Sequence, residues 1–168
     1  GNVNVLALDM YDGKIATTRE EAGKYMGSAS PARLESIIKG AISYAGPKAK
    51  IATVGWCFGG ALSLKASILL GKQAAACVMY YGMPETDIAK LKALNSDVLG
   101  IFANKDGWIS PKVAAEFQSN MEKAGKKLVL KQYDADHAFA NPSNPIYNSV
   151  AAADAYAATL SFLMPRLK

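Results

Sequence analysis

Hydrophobic and polar positions alternate along the chain between two periods, about two residues in short apolar runs and about 3.6 in the segments between them. Residues 3–9 (VNVLALD) read as a buried strand. Thr17 and Thr18, followed three residues on by Glu20 and Glu21, give two overlapping capping boxes for a short helix closed by Gly27. Ser30-Pro31 starts a second helix, with Leu34, Ile37, Ile38 and Ile42 at helical spacing, and Gly46-Pro47 stops it. Residues 50–55 form a short β-branched run. Residues 58–70 follow, apolar on nearly every face, as expected of a buried helix.

The same alternation predicts a strand over 75–81, a helix near 84–94 and a strand over 97–103. Ser110-Pro111 begins a helix striped by Val113, Phe117 and Met121 that ends at Gly125. Residues 128–133 give a fifth strand and residues 147–163 a last helix. Strands and helices alternating in this way imply right-handed βαβ units: an α/β fold with a mostly parallel sheet and helices on both faces. In such folds chemistry sits beyond the carboxyl ends of the strands.

Composition narrows the function classes. The 168 residues suit one domain, and 51% hydrophobic with 20% charged residues excludes a disordered chain. The longest apolar runs span about eight residues, against the ~20 that a membrane-crossing helix needs, so no membrane role is expected. The net charge of +5 splits into +4 for residues 1–84 and +1 for 85–168. The densest basic cluster, Lys123, Lys126, Lys127 and Lys131, sits at a helix end where cations complement the macrodipole, and no nucleic-acid partner is expected. Two cysteines and one histidine supply neither a disulfide framework nor a structural zinc site, so no metal is expected. No signal peptide opens the chain. The location reads as cytoplasmic, with the periplasm left open because a signal could precede Gly1.

The segment Gly55-Trp56-Cys57-Phe58-Gly59-Gly60 lies where a strand becomes a buried helix. It has the pattern of a nucleophile elbow with cysteine in the place of serine. Small residues two before and two after the nucleophile let strand and helix approach closely, and the helix N-terminus favours thiolate at Cys57. Cys77, in mid-strand, reads as core. His137 is the sole histidine, in a loop after the strand at 128–133, so any imidazole base is this residue. Three aspartates compete to orient it. Asp134 and Asp136 are its near neighbours, whereas Asp106 lies 49 residues after Cys57 and 31 before His137. The order nucleophile, acid, histidine favours Asp106.

On these residues the chain resembles the dienelactone hydrolase family. The match runs through Asp9-Met-Tyr-Asp-Gly, Gly55-Trp-Cys-Phe-Gly-Gly-Ala, Tyr80-Tyr-Gly, Asn104-Lys-Asp-Gly and Asp136-His-Ala-Phe-Ala-Asn-Pro. The resemblance implies an α/β-hydrolase fold, a Cys57/His137/Asp106 triad, and hydrolysis of a small-molecule ester or lactone without metal or organic cofactor. It also implies two carboxylate-binding arginines, at places that here read Asp12-Gly13 and Asn141. Without those guanidinium groups bidentate carboxylate recognition is lost, and a neutral or differently charged ester is expected.

In this reading Cys57 attacks the carbonyl and forms an acyl-enzyme, His137 moves the protons, Asp106 orients it, and the Phe58 N–H supplies one oxyanion donor. Trp56, Tyr80 and Tyr81 are candidate pocket walls, with core packing as the alternative for each. Two other functions stay open: a binding protein of this fold without turnover, and a thiol redox sensor on Cys57. The resemblance further implies a missing amino-terminal segment that carries the second oxyanion donor, a glutamate, and a strand between residues 3–9 and 50–55. The expected architecture is therefore an N-terminally truncated domain, completed by an N-terminal fragment or by a strand-swapped homodimer.

Overall fold

The computed structural model describes residues 3–168. These fall into two compact units, one up to Ala49 and the other from Lys50 to Lys168. The first holds helices α1 (Arg19–Ser28) and α2 (Pro31–Ala45). Thr18 caps α1 by accepting from the Glu21 N–H. The Glu21 carboxylate reaches back to the backbone and hydroxyl of Thr17, so a single capping box forms, offset by one residue from the usual pairing. Ser30 caps α2, Pro31 occupies its first turn, and Gly46 ends it at φ 83°. Asp12 accepts two bonds from the Arg33 guanidinium, which holds its carboxyl below the ordinary range.

The strand expected over residues 3–9 is not formed. That segment enters no ladder, and Val3, Val5 and Leu6 are exposed. Apolar alternation reports a preference for burial, but a strand also needs a neighbour to take its backbone hydrogen bonds.

The second unit is built on four parallel strands in the order β1-β2-β3-β4: β1 (Ile51–Trp56), β2 (Ala74–Tyr80), β3 (Val98–Ala103) and β4 (Leu128–Tyr133). Between them run α3 (Phe58–Leu70), the short α4 (Ile88–Lys92) and α5 (Pro111–Lys123), and α6 (Ser149–Leu167) closes the chain. The period-2 pattern of β2 sorts the core into two layers. Cys77 and Met79 face Leu64 of α3, Leu91 of α4, and Phe117 and Met121 of α5. Ala76, Val78 and Tyr80 face Ala151, Ala155 and Phe162 of α6. Strand order that advances one way places the intervening helices on one face, and α6 covers the other. Helices thus lie on both faces, as expected. The helix foreseen near 84–94 contracts to one of five residues capped by the Asp87 carboxylate. Ser110 stands at the start of α5, but its hydroxyl makes no cap bond, leaving Pro111 to set the turn.

Candidate active site

The turn from β1 into α3 carries Cys57 at φ 54°, ψ −119°, a left-handed backbone that an ordinary side chain adopts only under constraint. The constraint is the close approach of three chain segments. A Cβ on Gly55 would sit 1.9 Å from the Gly59 carbonyl oxygen, one on Gly60 would lie 2.8 Å from the Tyr80 oxygen, and one on Gly82 would lie 2.6 Å from Ala61 N. A Cβ on Gly59 would meet nothing. The reason given for the motif spacing therefore holds at Gly55, while the second glycine the packing requires is Gly60. The Cys57 N–H donates to the Tyr80 carbonyl at 2.9 Å, which ties the elbow to the end of β2.

Three of the predicted residues meet at the carboxyl edge of the sheet. His137 Nε2 lies 3.1 Å from Cys57 Sγ, and His137 Nδ1 lies 2.5 Å from Asp106 Oδ2. Asp106 is 4% exposed, and its other oxygen accepts from the Trp108 and Ile109 backbone N–H groups, both at 2.9 Å. Its rivals are excluded by position. Asp134 is exposed and paired with Lys105, and Asp136 is exposed. The Phe58 N–H at the first turn of α3 donates toward the Cys57 sulfur. Cys77 is fully buried beside the Ser63 hydroxyl, and burial pushes its thiol up.

Electrostatically the pair is polarised toward the ionic form. The hydrogen bond from His137 lowers Cys57 from the ordinary thiol value, with the imidazolium charge and the Phe58 N–H adding to it against partial burial. The bond to Cys57, aided by Asp106, raises His137 to about 9. Each group thus stabilises the charged state of the other, which favours a thiolate–imidazolium pair.

A cleft of about 300 Å³ opens over the thiol, lined by Trp56, Cys57, Tyr81, Ala138, Ala140 and Asn141. Four non-glycine residues among those described have positive φ, and three of them, Cys57, Tyr81 and Ala138, line this cleft. Backbone strain is concentrated where the reactive groups converge. Trp56 is exposed and stacks on Tyr80, whereas Tyr80 is core, with its hydroxyl bonded to Ala155 O and Thr159. Tyr81 is both buried and a wall, its ring 5.1 Å from that of His137. Trp108, 6.1 Å from the His137 ring, went unremarked in the sequence, although its place two residues after Asp106 was the available signal. Among the described residues no three His, Cys, Asp or Glu side chains group to hold a metal, and no helix is long and apolar enough to cross a membrane.

The family model for the dienelactone hydrolase family matches residues 3–167. Protein usf of Aquifex pyrophilus is 28% identical over 93% of this chain and 72% of its own length. The carboxymethylenebutenolidase of Pseudomonas sp. strain P51 is 29% identical over 67% of this chain and 47% of its own. Among solved structures, MGS-M1, an α/β-hydrolase enzyme from a deep-sea metagenome library, superposes with a TM-score of 0.65 at 14% identity, covering 83% of this chain and 66% of that one. With the α/β-hydrolase fold and the full span of the model in agreement, the chain belongs to the dienelactone hydrolase family, enzymes that hydrolyse ester or lactone bonds.

Proposed function

We propose that this protein cleaves uncharged small-molecule esters or lactones through an acyl-enzyme on Cys57. The thiolate adds to the substrate carbonyl carbon, and the carbonyl oxygen becomes an oxyanion that the Phe58 N–H stabilises. The imidazolium of His137 gives its proton to the departing alkoxide as the C–O bond breaks, so alcohol leaves and a thioester remains. Neutral His137 then takes a proton from water, hydroxide adds to the thioester, and the C–S bond breaks to return thiolate and carboxylic acid. Asp106 holds the Nδ1–H tautomer and supports the imidazolium throughout.

The observation that carries this reading is the continuous chain Cys57–His137–Asp106, with hydrogen bonds of 3.1 and 2.5 Å. Restriction to uncharged substrates rests on the cleft lining, which contains no lysine or arginine. The test is turnover of a small ester panel by Cys57→Ala and His137→Ala. Each is expected to lose about 10³-fold or more in kcat, and an unchanged rate in either removes the proposal.

A further inference from the structure

We infer that the substrate carries a flat apolar group, an aromatic ring in the simplest case, which lies against the Trp56 indole in the cleft and the Trp108 indole beside His137. The inference rests on the acyl-enzyme reading above and adds the chemistry that would select the substrate.

The two tryptophans are the first support. Trp56 is 51% exposed and Trp108 58% exposed, and what sets them apart from other exposed apolar side chains is their place next to Cys57 and His137. One face of Trp56 is stacked on Tyr80 at 5.2 Å and 28°, which fixes the plane of the indole. Trp56 precedes the nucleophile and lines its cleft, and Trp108 sits beside the base at 6.1 Å. Exposed, pre-oriented aromatic rings flanking the reacting atoms form a platform for a planar ligand.

The polar groups fix what else the ligand carries. Asn141 is the one amide in the cleft lining, and its Oδ1 already accepts from the Ser143 N–H at 3.0 Å. It therefore offers a ligand its NH₂ group, a donor suited to a neutral oxygen. The cleft lining supplies no lysine or arginine to pair with an anionic substrate group. Volume sets the size: at about 30 Å³ per water, 300 Å³ accommodates roughly ten to fifteen non-hydrogen atoms, enough for a ring joined to a short ester.

The experiment compares benzyl acetate, ethyl acetate and 4-carboxybenzyl acetate, which share an acyl group and have leaving alkoxides of similar basicity. Benzyl acetate is expected to exceed ethyl acetate about tenfold in kcat/KM, through KM, and the carboxylated ester to lose that advantage. Trp56→Leu and Trp108→Leu are expected to shrink the benzyl-to-ethyl ratio toward one. Independently of turnover, the uncleaved amide N-benzylacetamide should protect Cys57 from iodoacetamide at lower concentration than N-ethylacetamide. Equal kcat/KM for the two esters, a preference for the carboxylated one, equal protection by the two amides, or a ratio unmoved in both tryptophan variants overturns the inference. Retained benzyl acetate hydrolysis in Cys57→Ala would instead overturn the acyl-enzyme reading and leave the binding preference to be judged by the protection constants alone.

Discussion

Asp106 divides its two oxygens between a turn and the imidazole: Oδ1 gathers the Trp108 and Ile109 N–H groups, and Oδ2 faces His137 Nδ1. Asp106→Asn keeps an acceptor for the turn but sets an NH₂ donor against the imidazole, which favours the wrong tautomer. A loss of about 10²–10⁴ in kcat with a nearly unchanged melting temperature is expected, and a large fall in Tm with kcat kept would refute this division. The Cys57–His137 pair gives a pH prediction. Cys57 is lowered from 9.0 and so ionises below that value, while His137 is raised from 6.5 and keeps its proton up to about 9. The ionic pair therefore spans the interval from the lowered thiol value to about 9. Iodoacetamide should alkylate Cys57 with an onset below 9.0, the ordinary thiol value, and His137→Gln should move that onset upward toward 9.0. A wild-type onset at 9.0, or one unmoved in the variant, would contradict the pairing. Cys57, His137 and Asp106 were legible in sequence because motif, uniqueness and order each marked one of them. Ala138 was not, because a positive φ at an alanine arises from tertiary packing, and Trp108 was marked only by its place two residues after Asp106.

At the scale of elements, the strand–elbow–helix unit depends on where a side chain would collide. Gly55→Ala places a methyl carbon against the Gly59 carbonyl, backbone that cannot swing aside, so the cost should reach or exceed the roughly 1–3 kcal/mol of ordinary overpacking. Gly59→Ala meets open space on a helix, where alanine is the better former, so its Tm should be unchanged or slightly raised. Melting curves of the two variants check this, and equal destabilisation would show the contrast to be wrong. The extents of α3 and β4 matched the sequence expectation because each is bounded by strong signals, the elbow and Gly71 for the helix, and Gly125 and the aspartate-rich loop for the strand. Residues 3–9 carried an equally good apolar pattern yet formed no ladder, since pairing is a property of two segments and the pattern describes only one.

Across the molecule, burial and pairing are unevenly shared, and local stability should follow. β2 is bonded on both edges and is covered by α3 on one face and α6 on the other, with Ala76 to Met79 wholly inaccessible. β3 has the same double pairing and contributes Leu99, Ile101 and Phe102 to the two core layers. β1 has one strand partner among the described residues, and α1 buries none of its residues. Amides in β2 and β3 can open only when both core layers open, which approaches global unfolding, whereas α1 contributes no buried residue to either layer. Native-state hydrogen exchange should therefore find the slowest amides between Cys77 and Tyr80 and between Leu99 and Phe102, with those of β1 faster and those of α1 faster by several orders of magnitude. Amides in α1 exchanging as slowly as those in β2 would mean that the first unit is stabilised by contacts beyond its own helices. The candidate site gains from this distribution: Cys57 follows β1 but donates to Tyr80 O at the end of β2, and Asp106 N–H donates to Ala103 O at the end of β3, so both are tied to the two most covered strands. His137 is carried by the loop beyond β4, which is anchored by the buried Ala135 and Phe139 and by the Lys105 N–H bond to Ala135 O, and the 2.5 Å bond to Asp106 joins it to the other two.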